Sequence, residues 1–144
     1  DFGVPPTNQL KQGQLHAPTP TAVPGANVVS TVALANAIAT GQEMVLIDVL
    51  GGQYSLPRAL MAPALASPGH FGDRTQQQAT QWLGQITGGR ADLPIVIYCS
   101  DPQCWLSYNA TLRTVAAGFR NVYWYRGGLT AWQMAGLQLM PSGM

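Results

Sequence analysis

Two short apolar runs, each without the polar alternation of a half-exposed strand, constrain the fold of this chain most strongly. They are "MVLIDVL" (44–50), interrupted only by Asp48, and "PIVIYC" (94–99). A strand that is apolar on both faces belongs inside a covered sheet, which is typical of parallel strands. Parallel strands need long crossover connections, and segments with helical spacing do separate the runs. The chain is therefore predicted to be an α/β protein.

The remaining elements are predicted to alternate between strand and helix. The strands are 28–30, 44–50, a weaker Pro-interrupted 59–66, 94–99 and 121–125, and the helices are 32–41, 74–87, 107–118 and 128–136. Ser30 or Thr31 can cap the first helix, and Gly41 ends it. The resulting order, β-α-β-β-α-β-α-β-α, predicts a mainly parallel sheet with helices on both faces.

A Pro-rich segment precedes these elements. Residues 1–27 carry five prolines and show neither the helical nor the strand period. We interpret them as an N-terminal arm, either extended along the body or disordered. Residues 28–144 are predicted to form one domain of ordinary size.

Composition and charge exclude several classes of protein. The net charge is +1 and only 9% of residues are charged, which gives no basic surface for nucleic acid. No apolar run reaches the roughly 18 residues of a membrane span.

The composition suggests an exported bacterial protein whose signal peptide has been removed. The chain has a single lysine, many Gln, Ala and Pro residues, and a start at Asp1 rather than Met. The expected location is the periplasm or the medium.

The stretch "VIYCSDPQCWLSYNATL" carries the candidate chemistry. Cys99 ends a buried strand, and a helix follows, so Cys99 lies at the edge where α/β sheets bind ligands. The N–H groups of a helix N-terminus favour an anion, including a thiolate. Cys104 is either a second, resolving thiol or a small buried residue; a loop of this length can meet the Cα separation of a disulfide. No metal is predicted, because His16 and His70 have no ligand spacing to the cysteines.

Four motifs in order resemble the rhodanese-like domain across residues 28–140. They are "LIDV" (46–49), "LPRALMAP" (56–63), "IVIYC" (95–99) and "AGFRNVYWYRGGLTAW" (117–132). The resemblance implies a five-stranded, mainly parallel sheet and a sulfurtransferase-like function in which Cys99 carries sulfur as a persulfide. It implies no cofactor. Its implied partner is a small sulfur compound or a thiol protein, and Asp48 on its buried strand is expected to tie down loop amides.

A narrower resemblance concerns "ITGGRADLPIVIYCSDPQCWLSYNA" (86–110) with "NVYWYRGGLTAW" (121–132). It is similar to exported rhodanese-like proteins that have a CXXCW motif and are associated with pyrroloquinoline-quinone-dependent catabolism. This implies a link to quinone-dependent alcohol oxidation and to a quinone-dependent dehydrogenase system. In this chain four residues, not two, separate the cysteines.

Several residues are predicted to border the site: Ser100, Asp101, Gln103, Trp105, Arg58 and Arg126. The loop itself has no basic residue, Asp101 adds a negative charge, and Pro102 lacks an N–H. Weak activity toward thiosulfate is therefore expected. Trp105 is either a wall of the site or a core residue, and Arg58 either replaces the missing anion-binding arginine or lies on the surface.

These features leave two hypotheses for the function. In the first, Cys99 is a sulfur-carrying or redox-active thiol. In the second, the chain is a catalytically inactive accessory or binding domain whose loop is locked by a Cys99–Cys104 disulfide.

Overall fold

Five parallel strands form the central sheet of the computed structural model, which describes residues 2–143. Within that range the strands are Asn27–Val28 (β1), Val45–Asp48 (β2), Tyr54–Ser55 (β3), Leu60–Met61 (β4), Ile95–Tyr98 (β5), Val122–Tyr125 (β6) and Met140–Pro141 (β7). The order across the sheet is β1-β6-β5-β2-β4, while β3 and β7 pair in a small antiparallel sheet. The central strand is β5, which runs parallel to β2 and β6 on its two sides.

Four α-helices connect the strands in the described part of the chain. They are Thr31–Ala39 (α1), Arg74–Thr87 (α2), Trp105–Ala116 (α3) and Gly128–Met134 (α4). Ser30 caps α1 by accepting a hydrogen bond from the N–H of Ala33, and Asp73 caps α2 by accepting one from Gln76. Across residues 2–143, no helix has both the length and the apolar character needed to cross a membrane. The predicted α/β fold with a five-stranded parallel sheet is confirmed.

The helices cover both faces of the sheet because alternate strand residues point to opposite sides. On one face, Ile47, Ile95 and Ile97 pack with residues of α2 and α3. On the other face, neighbouring strand residues such as Leu46 and Val96 pack with residues of α1 and α4. The two continuous apolar runs of the sequence are thus β2 and β5, buried on both sides.

The predicted strand 59–66 is wrong over most of its length. Only Leu60–Met61 pairs with β2, and Pro63–Ala66 forms a 3-10 helix. Proline has no N–H for a strand ladder, and its fixed φ suits the first turn of a helix. The helix predicted at 107–118 begins earlier, at Trp105. The pair β3 and β7 was not predicted, because two-residue strands have no detectable period.

The N-terminal arm is extended and lies against the body. Leu10 and Val23 are buried, and they join Trp105, Tyr108 and Trp124 in a third apolar cluster. The hydroxyl of Tyr108 donates to the carbonyl of Thr7, and the side-chain amide of Asn109 donates to the carbonyl of Lys11. The arm therefore forms a further layer over α3.

Candidate functional site

The site is built where the central strand gives way to a helix. Cys99 follows the last residue of β5, and Cys104 is the N-cap residue of α3. The intervening residues 100–103 form a tight loop, in which the N–H of Cys104 donates to the carbonyl of Asp101 over 3.1 Å. The strand end thereby presents Cys99 to the first turn of α3.

Cys99 and Cys104 are joined by a disulfide, and their Cα atoms are 6.4 Å apart. The separation lies within the range found in protein disulfides. Cys99 is 1% exposed and Cys104 0%. They are the two cysteines of the chain, so this structure contains no thiol, and it is an oxidised, closed form of the site.

Ser107 lies directly against Cys99, although sequence reasoning did not identify it. Its N–H points at Cys99 Sγ over 3.3 Å, and its Oγ lies 2.9 Å from the same sulfur. The indole N–H of Trp124, on β6, donates to Ser107 Oγ over 2.8 Å. The position of Ser107, in the first helical turn after Cys104, is a signal that could have been used. Nothing in the sequence connects either residue with Trp124.

Other N–H groups of the loop are engaged elsewhere. The N–H of Gln103 donates to Asp101 Oδ1 over 2.7 Å, and the N–H of Trp105 donates to the carbonyl of Leu15 in the arm over 2.8 Å. Pro102 has no N–H. Together with the internal bond of Cys104, these contacts leave the loop arranged as a closed turn rather than as an open cradle for an anion.

The Gly-Gly turn after β6 forms the floor under the loop. The N–H of Leu129 donates to the carbonyl of Cys99 over 3.1 Å, and that of Thr130 donates to the carbonyl of Ser100 over 2.9 Å. Gly128 has a φ of +63° and lies against the backbone of both Cys99 and Ser100. The start of α4 therefore holds the loop in place through backbone contacts.

The arm covers the opposite side of the loop. Thr19 makes two hydrogen bonds to the carbonyl of Pro102, one from its N–H over 3.2 Å and one from its hydroxyl over 2.6 Å. The indole of Trp105 donates to the carbonyl of Pro18 over 3.0 Å. Access to the cysteines from this side requires the arm to move.

The predicted border arginines do not converge on the cysteines. Arg126 donates to the carbonyls of Thr19 and Pro20 and to the Thr19 hydroxyl, and it lies over the ring of Phe2. Burial lowers the pKa of Arg126. Arg58 donates to the carbonyl of Ile38 at the end of α1. One arginine thus fastens the arm, and the other fastens a helix on the far face of the sheet.

Trp105 and Asp48 stabilise structure next to the loop, and within residues 2–143 neither side chain hydrogen-bonds to a cysteine sulfur. Trp105 is buried, stacks at a tilt on Tyr108 with ring centroids 4.7 Å apart, and has Lys11 Nζ 5.3 Å from its ring. Asp48 Oδ1 accepts the N–H groups of Leu50 and Gly51. The carboxylate therefore holds the turn after β2, next to the strand that carries Cys99.

Tyr98 lies beside Asp48 in the parallel register of β2 and β5. Burial, and then the charge of Asp48, raise the pKa of Tyr98 above its usual range. The phenol therefore stays protonated, and its oxygen accepts the N–H of Leu56 over 3.0 Å. Among residues 2–143, His, Cys, Asp and Glu side chains form no group of three that could hold a metal ion.

Solved structures support the fold. The chain is 16% identical to a thiosulfate sulfurtransferase from Pseudomonas aeruginosa, with a TM-score of 0.65 over 83% of this chain and 21% of that one. It is 19% identical to a rhodanese-like domain from Anabaena, with a TM-score of 0.58 over 81% and 83%. It is 17% identical to a Rhodopseudomonas palustris protein of unknown function described as a possible tyrosine phosphatase, with a TM-score of 0.59 over 80% and 85%.

At these identities the structural likeness shows the fold alone. This chain spans about a fifth of the length of the Pseudomonas sulfurtransferase chain. No curated protein matches the sequence. The sequence profile of the rhodanese-like domain does match, over residues 31–135, which include every helix, the central strand and both cysteines. The chain therefore belongs to the rhodanese-like domain family.

Proposed function

We propose that this chain is a sulfurtransferase-like domain in which Cys99 carries sulfur and Cys104 is its resolving thiol. The observation that carries the proposal is the placement of Cys99 Sγ, at the end of the central strand, against the N–H of Ser107 in the first turn of α3. An N–H at this end of a helix stabilises a thiolate, which is the reactive form of cysteine. The disulfide is then the resting form of the pair.

The chemistry begins with reduction of the disulfide by a thiol protein, which becomes oxidised to its own disulfide. The Cys99 thiolate then attacks the terminal sulfur of a sulfane-sulfur donor. With thiosulfate, the sulfur–sulfur bond breaks, sulfite leaves with the bonding electrons, and Cys99 holds a persulfide. Next, the Cys104 thiolate attacks the Cys99 sulfur and re-forms the disulfide, and the terminal sulfur leaves with the bonding electrons, takes up a proton and departs as hydrosulfide.

We further propose that thiosulfate is a poor donor. A dianion needs a cation or several free N–H groups, whereas Arg126 is bound to the arm and the loop N–H groups of Gln103 and Cys104 have partners. Protein persulfides or organic polysulfides, whose donor group does not carry two negative charges, fit this site better. Turnover with thiosulfate comparable to that of a strong sulfurtransferase would contradict this.

A second candidate function is supported by the burial of both cysteines beneath the arm. In this alternative the disulfide locks the loop permanently, and the domain is a non-enzymatic accessory that binds a partner. For either function we propose a location in the bacterial periplasm or medium, because disulfides persist in oxidising compartments. The proposed partner system is a quinone-dependent dehydrogenase, as the narrower resemblance implies.

Mass spectrometry of the intact protein tests the first function against the second. The protein is reduced, freed of reductant, and incubated with thiosulfate or with polysulfide. Cys104→Ser should gain one sulfur atom and keep it, because no resolving thiol remains. Wild type should release sulfide and return to the disulfide mass. Cys99→Ser is the matched control and should gain nothing.

If reduced, folded Cys104→Ser gains no sulfur from either donor, the sulfur-carrying function is wrong and the accessory function remains.

Thiol titration of the native protein separately measures whether the Cys99–Cys104 disulfide is formed. No thiol should react before reduction, and two should react after it. Fractionation of the source bacterium would contradict the proposed location if the protein is found in the cytosol.

A further inference from the structure

One residue of α3 directs two hydrogen-bond donors at Cys99 Sγ. The amide nitrogen of Ser107 lies 3.3 Å from the sulfur, and its Oγ lies 2.9 Å away. Ser107 and Cys99 are each 1% exposed. Water is therefore not at hand to replace these donors, and whatever charge develops on the sulfur depends on them.

Trp124 decides the direction in which the Ser107 hydroxyl donates. An indole N–H can only donate, so Ser107 Oγ must accept from Trp124 Nε1 across their 2.8 Å contact. The hydroxyl proton of Ser107 is then free for another acceptor. Two acceptors are within reach, Cys99 Sγ at 2.9 Å and the carbonyl of Cys104 at 3.5 Å. The shorter contact is the one to sulfur.

These donors have little effect on a disulfide sulfur, which is a weak acceptor, but a large effect on a thiolate. We propose that Ser107, oriented by Trp124, is a positioning residue that stabilises the Cys99 thiolate once the disulfide opens, in place of the basic residue that the loop lacks. The inference rests on the proposed function, in which Cys99 is the nucleophile.

Most of the charged and titratable groups nearest in the fold are engaged with other partners. Asp48 Oδ1 and Asp101 Oδ1 accept backbone N–H groups, Tyr108 is bonded to the arm, and Arg126 is bound to arm carbonyls. Asp48 Oδ2 is buried and has no hydrogen-bond partner among the described residues. The other titratable side chains on the elements packed around the loop are Tyr98, Cys104, Arg113, Tyr123 and Tyr125, and the arm adds Lys11 and His16. Lys11 Nζ lies over the ring of Trp105. Cys104 is the member of this set that is bonded to Cys99.

The contacts of Ser107 with Cys99 Sγ also favour one path of reduction, in which Cys99 is the leaving group. A thiolate of an external dithiol attacks Cys104 Sγ, the disulfide bond breaks, and Cys99 leaves with the electron pair as the thiolate that Ser107 stabilises. The second thiol of the dithiol then attacks the mixed disulfide. Cys104 leaves as a thiol after taking up a proton, and the dithiol departs as a disulfide. Two electrons have passed to the protein.

The test measures the ultraviolet absorbance of the thiolate against pH in reduced Cys104→Ser, with Cys99→Ser/Cys104→Ser as the baseline for tyrosine. Adding Ser107→Ala should raise the titration midpoint by about one pH unit, since one hydrogen bond to the charged form is lost. Trp124→Phe should raise it by less, and Ser107→Thr, which keeps a hydroxyl, should leave it near the parent value.

Thr114→Ala is the matched control, because it removes another buried hydroxyl of α3, one bonded to the carbonyl of Ala110. It should leave the midpoint unchanged. In protein with both cysteines, Ser107→Ala should also lower the reduction potential, by about 30 mV for a tenfold change in the equilibrium with dithiothreitol. Equal midpoints for Ser107→Ala and Thr114→Ala would overturn the proposal.

If Ser107→Ala does not fold, Trp124→Phe decides, and an unchanged midpoint in that variant overturns the proposal. The measurement needs no sulfur donor. A raised midpoint in a protein that cannot be loaded with sulfur would therefore refute the proposed function and leave the role of Ser107 standing.

Discussion

Gly128 lies so close to the loop that a side chain at this position would displace the loop backbone. Its φ is +63°, and an added Cβ would lie 2.7–2.8 Å from the backbone of Ser100 and still closer to the carbonyl of Cys99. Backbone, unlike the end of a flexible side chain, cannot yield cheaply. The glycine therefore lets the start of α4 approach the residue that carries the candidate chemistry.

Gly128→Ala should lower the free energy of unfolding by about 3 kcal/mol, from the left-handed conformation and the clash together. Gly136→Ala is the control, since Gly136 also has a positive φ, +79°, but open space around its Cα. It should cost only about 1–2 kcal/mol. If chemical denaturation gave equal losses of unfolding free energy for the two variants, the loop backbone would be able to move away from the added methyl group at little cost.

Asp73 and Arg113 form an ion pair at the other end of α3. Arg113 is fully buried and donates to both carboxylate oxygens of Asp73 and to the carbonyls of Ser67 and Pro68. The hydrogen bond from Arg113 is the main cause that holds the pKa of Asp73 well below its usual range. The folded protein therefore keeps this carboxylate ionised in acid, where the unfolded chain would protonate it.

Because the folded-state pKa is depressed, the stabilisation by Asp73 is complete above about pH 5 and is lost as the pH falls further. The free energy of unfolding, measured from pH 7 to pH 2, should decline below about pH 5. Asp73→Asn should be less stable at pH 6 and should show a shallower decline. Asp92→Asn, which removes an exposed carboxylate, should keep the wild-type profile. A wild-type slope in Asp73→Asn would contradict the assignment.

At the scale of elements, α3 connects the parts of the site. Its first turn faces Cys99 through Ser107, and the N–H of Trp105 at its start is bonded to the arm. Near its other end, Arg113 fastens the loop 67–73. Several buried side chains of this helix are polar, and hydrogen bonds satisfy them. Helix α3 therefore holds its neighbours by hydrogen bonds as well as by apolar packing.

The arm is expected to control access to the disulfide. Thr19→Val removes the hydroxyl that donates to the carbonyl of Pro102 and accepts from Arg126. Loss of about 1 kcal/mol of hydrogen bonding should make arm opening about fivefold more frequent, and reduction by dithiothreitol should speed up accordingly. Thr40→Val is the control, because its exposed hydroxyl bonds only within the end of α1. Identical reduction rates would mean that reductant reaches the cysteines by another route.

For the whole molecule, the disulfide closes a loop of six residues within a domain that already has two packed layers of helices. A short loop gives a disulfide a stabilisation at the low end of the usual range, about 2 kcal/mol. The fold should therefore survive reduction, which is a requirement for any cycle that passes through free thiols.

Reduction should lower the Tm by roughly 6 °C without loss of far-ultraviolet circular dichroism. The double variant Cys99→Ser/Cys104→Ser should melt near the reduced wild type and should not respond to reductant. Unfolding of the wild type on reduction alone would rule out a working thiol cycle and would favour a structural disulfide.

Patterns within short segments of the sequence were enough to predict the central strands, one helix and the position of Cys99. The apolar runs identified β2 and β5 because a buried strand needs apolar residues on both faces. Helix α2 has the predicted bounds, 74–87, because a capping Asp73 and a left-handed Gly88 flank it. The position of Cys99 at a strand end followed from the same local signals, and with it the candidate site.

The tertiary structure alone decided what surrounds the cysteines. The contact of Ser107 with Trp124 spans 17 residues, and that of Thr19 with Pro102 spans 83. Many of these contacts end on backbone carbonyls, which every residue possesses, so no pattern of side chains announces them. Periodicity reports burial along one element, whereas the closure of the loop by the arm and the direction of the Ser107 hydroxyl depend on how separate elements meet.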